Sequence, residues 1–99
     1  MRTVMVVDDE VGIQELVRGA LLDSETMVVG ARNSRAALDL LDDMSCDLML
    51  VESRLPLSRE RVLVPVKPGD RYHKKRSESF LKKPFTEDEL VEFISQHIE

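Results

Sequence analysis

The strongest constraint on this chain is a short run that is apolar at nearly every residue, closed by acids and followed at once by a helical period. Thr3-Val4-Met5-Val6-Val7 shows no polar alternation and ends at Asp8-Asp9-Glu10. Such a run, rich in β-branched residues, reads as a strand buried on both faces, as in a parallel sheet covered by helices. Ile13, Leu16, Val17, Ala20 and Leu21 then fall at i, i+3, i+4, i+7 and i+8. That spacing predicts an amphipathic helix over residues 11–23. Thr26 to Gly30 reads as a second strand. Asn33 or Ser34 can cap a second helix over 34–44, in which Ala37, Leu40, Leu41 and Met44 share a face. Asp47-Leu48-Met49-Leu50-Val51-Glu52 is a third strand. The order βαβαβ predicts an α/β domain with right-handed crossovers. A chain of 99 residues holds one modest core, so residues 1–99 read as a single domain.

The second half is less regular. Val62 to Val66 looks like a fourth strand, with Pro65 suited to a strand end or an edge. Ser79-Phe80-Leu81 is a short fifth strand. Thr86 and Glu89 form a capping box for a last helix over 86–98, with Leu90, Phe93, Ile94 and Ile98 on its apolar face. Nine residues, Ser53 to Arg61, join the third strand to the fourth, and twelve, Lys67 to Glu78, join the fourth to the fifth. A parallel connection usually takes a dozen or more residues, mostly helix. Neither segment has a helical apolar period, so the expectation is a mainly parallel sheet with two helix-poor crossovers.

Charge and composition narrow the function classes. The net charge of −5 hides a basic middle third: residues 54–83 carry 10 basic and 3 acidic side chains, against 4 and 11 in residues 1–53. A charge run is most often a solvated surface; the functional alternative is an anionic partner binding Lys67, Arg71, Lys74, Lys75 and Arg76. Aromatic residues are 4% with no tryptophan, which argues against a stacking platform for single-stranded nucleic acid. The single cysteine, Cys46, excludes an internal disulfide, and the apolar start is too short for a secretion signal or a membrane span. A reduced, cytoplasmic protein is the expectation. His73 and His97 are each isolated, without triad or metal-ligand spacing, and no glycine-rich phosphate loop is present.

In an open parallel sheet, functional residues gather at the carboxyl ends of the strands. Asp8, Asp9 and Glu10 follow strand one, Glu52 ends strand three, and Lys83 follows strand five. Acids after a strand also serve simply to favour a helix N-terminus. Their joint placement with a lysine at one sheet edge is the sharper reading.

The stretches Val4-Met5-Val6-Val7-Asp8-Asp9-Glu10, Cys46-Asp47-Leu48-Met49-Leu50-Val51-Glu52-Ser53-Arg54-Leu55-Pro56 and Phe80-Leu81-Lys82-Lys83-Pro84-Phe85 occur in that order. With these motifs the chain resembles the receiver domain of two-component response regulators, over about four-fifths of its length. The resemblance implies a flavodoxin-like, doubly wound parallel five-stranded sheet in the order 2-1-3-4-5. It implies Asp8 and Asp9 as the acidic pair that helps hold Mg²⁺, Glu52 at the phosphoacceptor position, Lys83 as the phosphate-contacting lysine and Phe80 at the aromatic switch position.

The departures point away from phosphorylation. The family's acceptor is an aspartate, and Glu52 carries its carboxylate one C–C bond further out, about 1.5 Å; a misplacement of ~1 Å can cost about a hundredfold in rate. The hydroxyl that the family places after strand four falls near Val66 or Lys67, neither of which is Ser or Thr. The chain is shorter than the family's usual length where helices three and four belong, so these are expected to be reduced or missing. The resulting expectation is a pseudo-receiver in phosphorelay signal transduction: not an enzyme, a protein-interaction module for a signalling kinase or effector. Glu52 then acts as a phospho-aspartate mimic or as a structural carboxylate paired with Lys83, Lys67 or Arg54. Weak Mg²⁺ at Asp9 is the one cofactor the resemblance allows. Bare sheet left by the lost helices points to a homodimer or a covering loop. The alternative is a Mg²⁺-dependent phosphoryl acceptor or phosphate-handling catalyst using Asp9 and Glu52.

Overall fold

The structure, a computed structural model, describes residues 2–22, 24–55, 57–67 and 80–98. Among them are five strands and three helices: β1 (Arg2–Val7), α1 (Val11–Ala20), β2 (Thr26–Ala31), α2 (Ser34–Leu41), β3 (Leu48–Arg54), β4 (Arg61–Val66), β5 (Leu81–Lys82) and α3 (Glu87–His97). They form an open sheet in the order β2-β1-β3-β4-β5. No helix among the described residues is long and apolar enough to cross a membrane.

The pleat sorts β1 between two cores. Val4 and Val6 face one side with Leu48, Leu50 and Leu63, covered by Val17 of α1 and by Leu90, Phe93 and Ile94 of α3. Met5 and Val7 face the other side with Ala31, covered by Ala37 of α2. All four residues from Val4 to Val7 are buried, which is why the run carries no polar alternation. Asn33 caps α2 by accepting the Ala36 N–H at 2.8 Å, and Thr86 and Glu89 complete the capping box of α3.

The sheet corrects the expectation of a parallel, doubly wound arrangement. β1 pairs in parallel with β2 and β3, but β4 is antiparallel to β3 and to β5, so β4 alone runs against the other strands. The link from β3 to β4 is a hairpin, not a crossover. Leu55 N–H donates to the Glu60 carbonyl at 3.0 Å and Arg59 N–H to the Leu55 carbonyl at 2.9 Å, with Arg59 in the left-handed region at φ 63°. Six residues between the strands cannot carry a chain back along the whole sheet, and reversing direction needs only a turn. Of the second link, residues 68–79 lie outside the described residues, as does Ser79 of the expected fifth strand. β5 reaches only Val62 and Leu63, so the outer side of β4 at Pro65 meets no described strand, a position that tolerates proline.

Candidate functional site

The carboxyl ends of β1 and β3 and the end of β5 converge on one ammonium group. Lys83 Nζ lies 2.7 Å from Asp8 Oδ2, 2.6 Å from Glu10 Oε1 and 3.4 Å from Glu52 Oε2. Its backbone N–H donates to the Arg61 carbonyl at 3.0 Å, which fixes the lysine beside the start of β4. Asp8 is the one fully buried charged side chain among the described residues. A carboxylate removed from water needs a charged partner and hydrogen-bond donors. Lys83 supplies the first, and the Glu10 N–H, 2.9 Å from Asp8 Oδ1, supplies a donor. Gln14 Nε2 donates to the Asp8 carbonyl at 3.1 Å. A β-carbon at Gly30 would collide with the Gln14 amide, so Gly30 leaves that prop its space.

A second cation completes the cluster. Arg61 lies 3.6 Å from Glu52 and 3.8 Å from Glu10. Among the described residues, Glu52 is thus held between Lys83 and Arg61; Lys67 and Arg54, the other partners expected for it, are not in these pairs. The reversal of β4 is the reason. Antiparallel pairing sets Arg61 opposite Arg54 at the carboxyl end of β3, and sends Val66 to pair with Met49. Val66 is therefore three residues, roughly 10 Å, from Glu52 along the sheet, and Lys67 follows it at the opposite edge.

The ion pairs move the protonation of two groups. The hydrogen bond and charge of Lys83 hold the Glu10 carboxyl below its ordinary value, outweighing the opposing effect of burial, with Arg61 adding to the shift. Burial by itself would lower the Lys83 ammonium, but its hydrogen bonds to Asp8 and Glu10 and the charges of Asp8 and Glu52 raise it above the ordinary value. Both shifts favour the charged forms of Glu10 and Lys83.

The other expected site residues are dispersed. Asp9 is exposed and does not belong to the three acids, Asp8, Glu10 and Glu52, whose oxygens lie within 4.8 Å of one another. Those three present the spacing of a cation site, yet the Lys83 ammonium already bonds to all of them. The residues as arranged do not fit a Mg²⁺ ion held through Asp9. Phe80 immediately precedes β5 and is 40% exposed. Of the basic patch, Lys67 is exposed, and Arg71, Lys74, Lys75 and Arg76 lie outside the described residues, as does His73. His97 Nδ1 sits 2.9 Å from the Phe93 carbonyl with its ring tilted against Phe93, a satisfied helix-end histidine. Burial and the neighbouring Asp47 charge push the Cys46 thiol up, so it packs rather than reacts.

The sequence placed Glu10 at this sheet edge without giving it a role, and did not place Arg61 there at all. Glu10 was legible as an acid beside the pair; Arg61 was hidden because a parallel β4 would have put it at the other edge. Comparison of the chain with family models, with curated proteins and with solved structures finds no match.

Proposed function

We propose that this chain is an atypical receiver-like domain of two-component signalling, a protein-interaction module that engages a kinase or effector without being phosphorylated. The observation that carries the reading is the Lys83 ammonium, bonded at once to Asp8, Glu10 and Glu52. In the family it resembles, the corresponding lysine meets the phosphoryl group. Here the Glu52 carboxylate already engages Lys83 and Arg61, so both cations of the cluster are paired with no group added. β4 runs opposite to the family's pattern. The support therefore comes from β1, β3 and β5 and the residues at their ends, not from the whole sheet.

One observation favours the alternative, a Mg²⁺-dependent phosphoryl acceptor: three carboxylates share a 4.8 Å neighbourhood. Incubation with acetyl phosphate and Mg²⁺, read by intact mass, separates the two. The wild type is expected to gain nothing, and Glu52→Asp to gain one phosphoryl group slowly, with Asp8 and Lys83 in place. Labelling of the wild type at Glu52 would establish the alternative. Failure of both proteins to label would remove the receiver reading. The labelled variant should not switch. Val66 and Lys67 stand at the opposite sheet edge, so no hydroxyl there distinguishes the two forms, and without a differential contact no equilibrium shifts.

A further inference from the structure

Helix α2 covers its sheet face incompletely. Ala37 is buried against Met5, Val7 and Ala31, whereas Leu38, the next residue, is 61% exposed. An open apolar groove runs between α2 and the sheet, lined by Val7, Ala37, Leu38, Leu41, Met49 and Val51. α1 and α3 pack on the opposite face, so among the described residues α2 is the only helix on this side.

The charges along α2 state what fits that groove. Arg35, three residues before Leu38, and Asp42, four residues after it, lie on the same exposed stripe of the helix. The stripe is basic, apolar, acidic from N- to C-terminus, and the exposed Asp39 beside Leu38 adds to its acidic half. This order opposes the helix dipole, which favours acids in the first turn and bases in the last; α2 has neither. An arrangement unfavourable in the single chain becomes favourable when the stripe meets itself reversed. A twofold axis through Leu38 sets two copies of α2 antiparallel. Arg35 of each copy then faces Asp42 of the other, each positive helix end lies beside a negative one, and each Leu38 enters the other's groove. A twofold interface requires this kind of self-complementary patch.

We infer that the groove between α2 and β3 is occupied by a second copy of this chain, joined through an antiparallel α2 pair centred on Leu38. The inference is independent of the signalling reading, since it uses no residue of the Lys83 cluster. A partner of unrelated sequence would need only an apolar insertion, whereas the two-ended charge of this stripe is matched by the stripe itself.

Sedimentation velocity across a micromolar concentration series tests it. The wild type is expected to dimerise. Arg35→Asp and Asp42→Arg each turn two attractions into two repulsions and should weaken the dimer by at least about tenfold. Mixed in equal amounts, the two variants should recover it as a heterodimer, because one stripe is then acidic at both ends and the other basic. The double variant Arg35→Asp/Asp42→Arg should dimerise like the wild type. Leu38→Gln should weaken association with no charge change. All these side chains are exposed, and circular dichroism checks that each variant is folded. A wild type that stays monomeric, or a dimer indifferent to the single charge changes, or a mixture that fails to recover, overturns the proposal.

Discussion

At the scale of single residues, Asp8 and Lys83 form the most consequential pair in the molecule. The Asp8 side chain has no exposed surface and Lys83 is 10% exposed, so the pair sits where water screens little. Removing one partner from a buried pair typically costs about 3 kcal/mol or more, because the other charge remains unpaired. Lys83→Met should therefore lower the urea unfolding free energy by about 3 kcal/mol, whereas Arg61→Met, which breaks two partly exposed pairs, should cost under about 1 kcal/mol. Asp8→Asn added to Lys83→Met should recover part of the loss, since it removes the stranded charge. The pH dependence follows from the two shifted groups. The Glu10 value is lowered, so its contribution is complete above its ordinary 4.5 and is lost as pH falls through the lowered value. The Lys83 value is raised, so its contribution is complete below 10.5 and is lost as pH rises through the raised value. The stability contributed by the Glu10 and Lys83 shifts should be flat between about pH 5 and pH 10. It should fall on both sides, shallowly in acid because Glu10 is half-exposed, and Lys83→Met should remove the alkaline limb. Glu10 also shows how one residue serves two needs. It is the N-cap of α1, but its side chain makes no capping bond and reaches Lys83 instead. An acid placed for a helix start and an acid placed for a site look the same in the sequence.

At the scale of elements, the sequence was most readable where one signal dictates one structure. The continuous apolar run of β1, the helical period of α1 and the capping box of α3 each have a single physical reading. The hairpin between β3 and β4 did not. Its length argued against a helical crossover, and the same arithmetic allows a reversal. The usual flag was missing: the two-residue Asn-Gly or Asp-Gly of tight hairpins is absent, and the left-handed position is an arginine. That choice carries strain. A side chain with a β-carbon costs about 1 kcal/mol in the left-handed region. Arg59→Gly should raise the unfolding free energy by up to about 1 kcal/mol, less the extra freedom glycine gives the unfolded chain, and Arg59→Val should lower it. Thermal melts of the two variants would settle the turn. A hairpin that tolerates valine as well as glycine would argue that residue 59 does not occupy that region in solution. By contrast, Thr86→Ala, which deletes the capping bond of α3 to Glu89, should cost about 1 kcal/mol irrespective of the turn.

At the scale of the whole molecule, the reversal of a single strand decides which residues can meet. With β4 antiparallel, Arg61 joins Glu52 and Glu10 at the carboxyl edge, and Lys67 is carried to the far edge. The strand order 2-1-3-4-5, which the resemblance implied, is the order found, but the direction of β4 was not legible, because the turn before it sets that direction. The site is thereby shared between the strongest and the weakest parts of the sheet. Asp8 extends β1, the strand flanked on both sides by parallel neighbours and buried along Val4 to Val7. Lys83 extends β5, a strand of two residues with a ladder to Val62 and Leu63 alone. Local opening draws on regions with few ladder bonds and exposed edges, while central strands open only with the whole molecule. Native-state hydrogen exchange should therefore find the slowest amides in Val4–Val7 and Leu48–Leu50. Leu81 and Lys82 should exchange through a local opening of lower free energy. The ion pairs couple the two regions, so Lys83→Met should lower the protection of β5 more than a uniform loss of stability accounts for. Equal protection across all five strands in the wild type would show instead that β5 opens only with the core. The Lys83 cluster would then be held by the packing of the whole sheet and not by its own charges.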